Sequence, residues 1–149
     1  MQQFSQASAR FHGYEAEWIY QPAAEGFGVR VFTDSVRARL AQGGNLPRIS
    51  PTRYGAELGY TQGAWSTHLT ALRVRKQDRV AELESVTPGY TRVDAEVSYL
   101  LRAGGTASYL IFLQGTNLLD KDIRTHTSYL KDTTPQAGRS FTLGVRAQF

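Results

Sequence analysis

The chain has 149 residues, a formal charge of +4 and an apolar content of 41%, which leaves both a globular domain and an outer-membrane protein open. It contains no cysteine, so disulfides, thiolate metal sites and cysteine nucleophiles are excluded. No apolar run approaches the roughly 18 residues that a membrane-spanning helix needs, and the first ten residues lack the layout of a secretory signal. Because arginines are spread along the chain beside carboxylates, nucleic acid is not expected as a partner.

Seven stretches of alternating apolar and polar side chains predict seven β-strands, whereas no stretch has the periodicity of an amphipathic helix. In the second stretch the apolar positions change parity, which predicts a β-bulge near Thr33 or Asp34. The fourth stretch also changes parity, and the sixth is apolar on both faces. The predicted strands cover approximately Ser8–Tyr20, Gly28–Ala41, Thr52–Thr61, Ala64–Lys76, Tyr90–Leu101, Ala107–Asn117 and Ser140–Phe149.

The connections between these strands alternate between short and long, which is typical of outer-membrane barrels and has no reason to occur in a soluble meander. Eight aromatic residues fall near the short-turn end, as expected of rings at a membrane–water interface. The sequence therefore predicts an all-β fold, an antiparallel up-and-down meander of about seven strands that forms a partial transmembrane β-barrel. The eight aromatic residues are Trp18, Tyr20, Phe27, Tyr60, Trp65, Tyr99, Tyr109 and Phe149.

In such a wall the apolar face meets lipid and the polar face lines a wet lumen. We expect its charged groups to neutralise one another, with a substrate pathway as the alternative. The predicted lumen residues are Glu15, Glu17, Arg53, Glu57, Arg92, Asp94, Glu96 and Arg146.

The end of the chain resembles the assembly signal of outer-membrane proteins, in which a polar residue and a glycine precede two apolar positions. Thr142, Gly144, Ala147 and Phe149 fill this pattern. The resemblance implies that the barrel-assembly machinery binds the last strand by pairing with its free edge.

Longer segments carry a more specific resemblance. The stretches GGNLPRISPTRYGAELGY, QDRVAELESVTPGYTRVDAEVSYLL and QGTNLLDKD, with the closing SFTLGVRAQF, resemble the C-terminal barrel portion of TonB-dependent outer-membrane receptors. HTSYLKD and AGRSF are similar to the branch associated with zinc uptake. The resemblance implies a bacterial outer-membrane location, contact with outer-membrane lipid, coupling to TonB in the intact receptor, and import of a scarce metal or metal complex, with zinc favoured.

The chain also departs from that family. Such receptors close about 22 strands around an N-terminal plug, whereas this sequence predicts about seven strands and no plug. Residues 1–149 are therefore expected to be a C-terminal barrel segment that is not competent alone and whose partners include the missing plug and the remaining barrel strands. Two alternatives stay open: a complete small barrel of about eight strands, and a soluble lipocalin-like module with its apolar face inward.

Candidate chemistry is sparse. No nucleophile elbow, zinc-protease helix or phosphate loop occurs, so we expect no enzyme, no catalytic residue and no cofactor. His126 and Asp122 are candidate metal ligands in a predicted external loop, with zinc or another metal complex as the transported ligand. A solvated loop histidine is the alternative, because zinc normally takes three or four ligands. The remaining charged loop residues, Arg48, Arg79, Glu82, Glu84 and Lys131, are expected to be solvated.

Overall fold

A computed structural model describes residues 7–104 and 106–149. Its strands form one antiparallel sheet in which each strand pairs with its neighbours in the chain, in the order β1 to β7. In the described ranges no pairing joins β1 to β7, so the sheet is not closed. This confirms the predicted all-β meander and partial barrel. The strands are β1 Ala9–Tyr20, β2 Gly26–Leu40, β3 Arg53–Gln62, β4 Trp65–Val74, β5 Tyr90–Arg102, β6 Ser108–Thr116 and β7 Ser140–Gln148.

One face of the sheet is apolar across all seven strands. Successive strands place Leu58 beside Leu69, and Leu69 beside Ala95. Because side chains alternate between faces, the whole apolar set projects to one side. Leu58 and Leu69 remain 42% and 45% exposed. This exposed apolar face is what a lipid-facing wall requires, and it disfavours the soluble module with an inward apolar face.

The described part of the chain buries few apolar side chains, and they lie away from the middle of the sheet. Ala38 and Val74 are near strand ends, and Ile123, the most deeply buried of the three, belongs to a connection. Packing is therefore densest where connections fold against strand ends.

The predicted bulge near Thr33 or Asp34 is wrong. Strand β2 pairs residue for residue with β1 and with β3 through this region. The parity changes because the surroundings change along the strand: near its end, inward-facing Ala38 is 5% exposed and its carbonyl accepts the N–H of Leu46 at 3.2 Å. Val74 of β4 is buried in the same way. Apolar residues thus switch from the lipid-facing side to the side covered by connections without any break in register.

The alternation of connection lengths is confirmed. Short connections cover 21–25, 63–64 and 103–107, and long ones cover 41–52, 75–89 and 117–139. Successive antiparallel strands place all short connections at one end of the sheet, the short-turn end, and all long ones at the other, the long-loop end. Gly63 has φ 56° in the two-residue turn, a conformation that favours glycine. Within the described ranges there is no helix of the length and hydrophobicity that a membrane crossing demands.

The eight aromatic residues predicted at the short-turn end lie at strand ends there and form four ring pairs. The centroid distances are 6.0 Å for Trp18–Tyr20, 4.6 Å for Phe27–Tyr60, 4.8 Å for Trp65–Tyr99 and 6.2 Å for Tyr109–Phe149. Three of these pairs join neighbouring strands, so the rings form a band along one rim of the sheet.

Candidate functional site

The polar face of the sheet carries cross-strand ion pairs. Arg30 of β2 bridges two carboxylates, with Nε 2.5 Å from Glu17 of β1 and Nη1 2.6 Å from Glu57 of β3. Sequence reasoning missed Arg30, although its register partner in β3 is Glu57, a predicted lumen residue. These groups are partly exposed, so each pair contributes little to stability. Their contacts support the interpretation in which wall charges neutralise one another.

The other predicted wall residues divide into two groups. Arg53 lies 3.0 Å from Asp34 across β2 and β3, and Arg92 lies 2.8 Å from Asp94 within β5. The remaining three make no ion pair with any described residue; they are Glu15, Glu96 and Arg146.

At the long-loop end, Glu84 contacts all three long loops. Its Oε2 accepts the N–H of Ala81 within its own loop at 3.0 Å, and its Oε1 accepts the N–H of Arg48 from loop 41–52 at 2.9 Å. The same Oε1 lies 3.2 Å from Nε2 of His126 in loop 117–139. We call the set Arg48, Glu84, Ser85, Thr87, His126 and Lys131 the loop cluster.

Lys131 forms the second connection in the loop cluster. Its ammonium donates to the carbonyl of Ser85, to Ser85 Oγ at 2.6 Å and to Thr87 Oγ1 at 3.4 Å. Ser85 Oγ in turn donates to Asp132 at 2.6 Å. Lys131 is only 6% exposed, and burying an ammonium is unfavourable unless acceptors surround it. These acceptors therefore fix loop 117–139 against loop 75–89.

His126 is almost completely enclosed. It is 2% exposed, and a hydrogen bond of 2.8 Å joins its Nδ1 to Thr87 Oγ1. Burial lowers the pKa of His126 below its ordinary value, although the nearby Glu84 carboxylate opposes this shift. Burial by itself would raise the pKa of Glu84, but the backbone N–H groups of Ala81 and Arg48 reverse this and lower it. The pair is therefore a neutral imidazole beside a carboxylate at neutral pH.

Further contacts tie loop 41–52 to loop 75–89. Asn45 Nδ2 donates to the carbonyl of Val80 at 3.1 Å, and Gln77 Nε2 donates to the carbonyl of Ile49 at 2.8 Å. Gln77 is buried, so its side-chain amide depends on this partner. Loop 75–89 is thus the central loop, joined to the other two by separate sets of bonds.

Asn117 organises the start of the longest loop. It is 2% exposed and has φ 49°. Its side-chain oxygen accepts the N–H of Lys121 at 3.0 Å, while its Nδ2 donates to the carbonyls of Lys121 at 3.0 Å and Ala137 at 3.3 Å. Its backbone N–H donates to Asp94 at 2.8 Å. The asparagine of the NLLDKD segment therefore joins both ends of the loop to β5.

A small cavity of about 120 Å³ lies where the three loops meet the strand ends. Its lining combines members of the loop cluster with residues of the sheet and of the loops. The lining includes Arg53, Gln77, Thr87, Tyr90, Arg124 and His126.

Residues 1–118 match the model of a family described as TonB dependent receptor-like, beta-barrel. The chain belongs to this family. The match confirms the family resemblance that the sequence carries, and membership in a receptor family agrees with the expectation that the chain is not an enzyme.

The chain is also similar to the solved structure of "Copper transporter OprC", with a TM-score of 0.78 and 21% sequence identity. The match covers 95% of this chain and 24% of that chain, so the chain spans about a quarter of the length of that protein. At this identity the similarity shows the fold alone.

In the receptor barrel, the two predicted metal ligands occupy different environments. His126 lies in the loop cluster, whereas Asp122 is paired with Arg124 at 3.3 Å. Among the described residues no group of three or more His, Asp or Glu side chains could hold a metal ion. The metal assignment stays a prediction.

The expectation of solvated loop residues is wrong for part of the loop cluster. His126 and Lys131 are buried, and the Glu84 side chain is 9% exposed. Their partners lie in other loops, so only the topology brings them together. A weak sequence signal existed: a glutamate, a histidine and a lysine occur in two loops that leave adjacent strands at the same end.

The four residues of the predicted assembly signal lie in or just after β7. Thr142 pairs with Gln114 of β6, Gly144 with Phe112 and Ala147 with Tyr109. Phe149 belongs to the aromatic band. The other edge of β7 has no strand partner among the described residues. This free edge is the geometry that recognition by strand addition needs, and the signalling role itself stays a prediction.

Proposed function

We propose that this receptor barrel is the C-terminal barrel segment of an outer-membrane receptor that imports a scarce metal or metal complex with energy supplied through TonB. The observation that carries the proposal is the division of the sheet into an exposed apolar face with an aromatic band and an opposite face of paired charges. Lipid suits the first face, and a hydrated lumen suits the second.

This proposal implies several partners. Outer-membrane lipid covers the apolar face, and the barrel-assembly machinery engages the free edge of β7. A plug and further barrel strands complete the receptor, because a sheet with two unpaired edges does not enclose a lumen. The 149-residue segment is then not competent for transport alone, and the long loops face the outside of the cell.

Zinc is our proposed cargo, on the resemblance of HTSYLKD and AGRSF to the zinc-uptake branch. The name OprC assigns copper to that protein, and other metal complexes are the alternatives for this one. His126 and Asp122 are proposed contributors to metal capture at the surface. His126 reaches this role only if loop 117–139 rearranges, because Thr87 and Glu84 enclose it, whereas Asp122 is already exposed.

The test combines location with metal content. Cells that lack the gene carrying this segment are grown in chelator-treated medium, and zinc, copper and iron in the cells are measured by mass spectrometry. We expect a deficit of one metal that the intact gene restores, together with a heat-modifiable band in the outer-membrane fraction. A water-soluble protein with unchanged contents of all three metals would contradict the proposal.

The two proposed ligands are tested separately by His126→Gln and Asp122→Asn, with zinc binding to the purified protein as the readout. His12→Gln is the matched histidine control, because His12 lies in β1 and is exposed. Unchanged zinc binding in both loop variants would remove these residues from the proposal without affecting the import function.

A further inference from the structure

Four exposed arginines lie on the apolar side of the sheet, towards its long-loop end. Trp18 of β1 is opposite Val31 of β2, and Arg10 is opposite Arg39 in the same unbroken register. Steps of two residues keep side chains on one face of a strand, so Arg10 and Arg39 project to the side on which Trp18 and Val31 lie. We call the four residues the arginine band; they are Arg10, Arg37, Arg39 and Arg73.

The arginine band keeps a regular distance from the aromatic band. On β1, β2 and β4 an aromatic residue and an arginine share the outward face, eight or ten residues apart; the pairs are Trp18 with Arg10, Phe27 with Arg37 and Trp65 with Arg73. A rise of about 3.3 Å per residue and a strand tilt of about 40° convert this spacing to about 20–25 Å across a membrane. The apolar band of an outer-membrane barrel is about 25 Å tall. When the aromatic band lies at one boundary of the hydrocarbon, the arginine band therefore lies at the other.

The arginines on the two faces of the sheet differ in their partners. On the inward face, Arg30 and Arg53 bind carboxylates at 2.5 Å and 3.0 Å. On the outward face, no member of the arginine band forms an ion pair with any residue that the structure describes. Arg73 donates only to a neutral hydroxyl, Thr91 Oγ1, at 3.0 Å. The outward positions of β1, β2 and β4 carry no aspartate or glutamate, so these strands supply no acidic partner on that face.

Three members of the arginine band are close neighbours. Arg10 and Arg39 are direct cross-strand partners, and like charges in that arrangement destabilise a sheet. Arg37 follows two residues away from Arg39 on the same face, about 7 Å along the strand. Ala38 between them faces inward and is 5% exposed, so the inward side is already filled. An anion from outside the chain would relieve the repulsion, and the guanidinium fork suits a phosphate group, which it binds through two parallel hydrogen bonds.

We infer that the arginine band binds the phosphate groups of an anionic lipid whose headgroup lies in the leaflet at the long-loop end. The inference rests on the membrane location in the proposed function and adds the chemistry of the lipid and the residues that bind it. The acyl chains of this lipid lie along the apolar face below the arginine band. A headgroup with more than one phosphate fits best, because Arg10, Arg37 and Arg39 present three separate guanidinium groups.

Native mass spectrometry of the purified protein in a neutral detergent tests the inference. The probes are lipid A with two phosphates, the same lipid with both phosphates removed, and inorganic phosphate. A basic residue near an anionic lipid surface strengthens binding about fivefold, so the double variant Arg37→Gln with Arg39→Gln should bind the phosphorylated lipid about 25-fold more weakly. Binding of the dephosphorylated lipid should not change. Arg146→Gln is the matched control, because Arg146 is an exposed arginine on the inward face of β7.

Thermal unfolding separates lipid binding from folding. Without lipid, the double variant should be as stable as the wild type, because it removes the charge that opposes Arg10. The phosphorylated lipid should then raise the unfolding midpoint of the wild type and raise that of the double variant much less.

Three results would overturn the inference: equal binding of the phosphorylated lipid by the wild type and the double variant, an equal loss of both lipids, or displacement of the phosphorylated lipid by inorganic phosphate. The last result would assign the arginine band to a free anion. Any of them in a protein that is embedded in the membrane leaves the import function standing, whereas a water-soluble protein would contradict both proposals.

Discussion

The ring of Phe112 lies over Gly144, its partner in the neighbouring strand, so closely that a Cβ at position 144 would collide with the ring. Glycine is therefore required at this position by packing, independently of any role in recognition. Gly55 and Phe32 repeat the arrangement between β3 and β2, again with the ring where a Cβ would stand. A cross-strand glycine–phenylalanine pair is thus a recurrent way of fitting large rings on the inward face.

Gly144→Ala should destabilise the protein by about 1–3 kcal/mol through overpacking against Phe112. Thermal unfolding of the detergent-solubilised protein measures the loss. Gly28→Ala is the matched strand control, because a Cβ there meets Gln21 only at 3.6 Å, an ordinary contact. The double variant Gly144→Ala with Phe112→Leu should recover part of the loss. Failure of this rescue would show that Gly144 acts through something other than the ring.

The loop cluster should loosen in acid. The pKa of His126 is lowered by burial, so the folded loops bind fewer protons than the unfolded chain as pH falls below the ordinary histidine value of 6.5. The contribution of His126 to the stability of the folded loops is therefore fully present above that pH. It declines as the pH falls towards the folded pKa of His126. The lowered pKa of Glu84 adds a second loss in the same direction at still lower pH.

Tryptic cleavage after Lys131 at a series of pH values, corrected for the activity of the protease on an unfolded substrate, measures this loosening. We expect cleavage to accelerate as the pH falls below the ordinary histidine value of 6.5, and His126→Gln to flatten that part of the profile. His68→Gln should retain the wild-type profile, because His68 is exposed on β4. An unaltered profile in His126→Gln would contradict the assignment to His126.

Leu113→Arg should block insertion, because Leu113 projects from the apolar face of β6 and is 46% exposed. An arginine facing lipid costs about 2–4 kcal/mol towards the middle of the bilayer. Gln114→Arg places the same charge one residue away on the inward face and should be tolerated. Heat-modifiable protein in the membrane fraction is the readout. Equal levels for the two variants would contradict the assignment of the two faces.

Asn117→Ala should destabilise the longest loop by about 2–3 kcal/mol, since it removes the three hydrogen bonds that the Asn117 side chain makes within the loop. Asn117→Gly loses the same bonds but tolerates the φ of 49° and should be less destabilised by about 1 kcal/mol. Chemical denaturation of the two variants measures the difference. Equal stabilities would mean that backbone conformation contributes nothing at this position.

Much of the wall could be predicted from sequence because each strand follows a local rule. Side chains alternate with a period of two, so the seven strands and the aromatic band follow from residue types read in order. The exception at Thr33 is instructive, because a change of parity indicated a bulge when only the environment of the strand had changed. The periodicity of a sequence indicates which face of a strand is apolar. It does not indicate whether lipid or a folded connection covers that face.

The loop cluster was beyond such reasoning for a different reason. Glu84 and His126 belong to separate loops, and neither sits in a periodic pattern. Their contact depends on the lengths and folds of two connections, each fixed by hydrogen bonds such as those of Asn117. Charged residues in loops are usually solvated, so the sequence favoured the wrong environment for Glu84 and Lys131.

Among the described residues, the outer edges of β1 and β7 have no strand partner, and this has an energetic consequence in hydrocarbon. There each outward N–H and C=O lacks water, and each unsatisfied group costs several kcal/mol. A sheet inserted by itself is therefore prone to edge-to-edge pairing. The free edges of β1 and β7 can hydrogen-bond to a strand from the rest of a receptor, from a second copy or from an unrelated barrel. The sheet therefore competes with neighbouring barrels for β-strands until another strand pairs with the outer edge of β1 and another with that of β7.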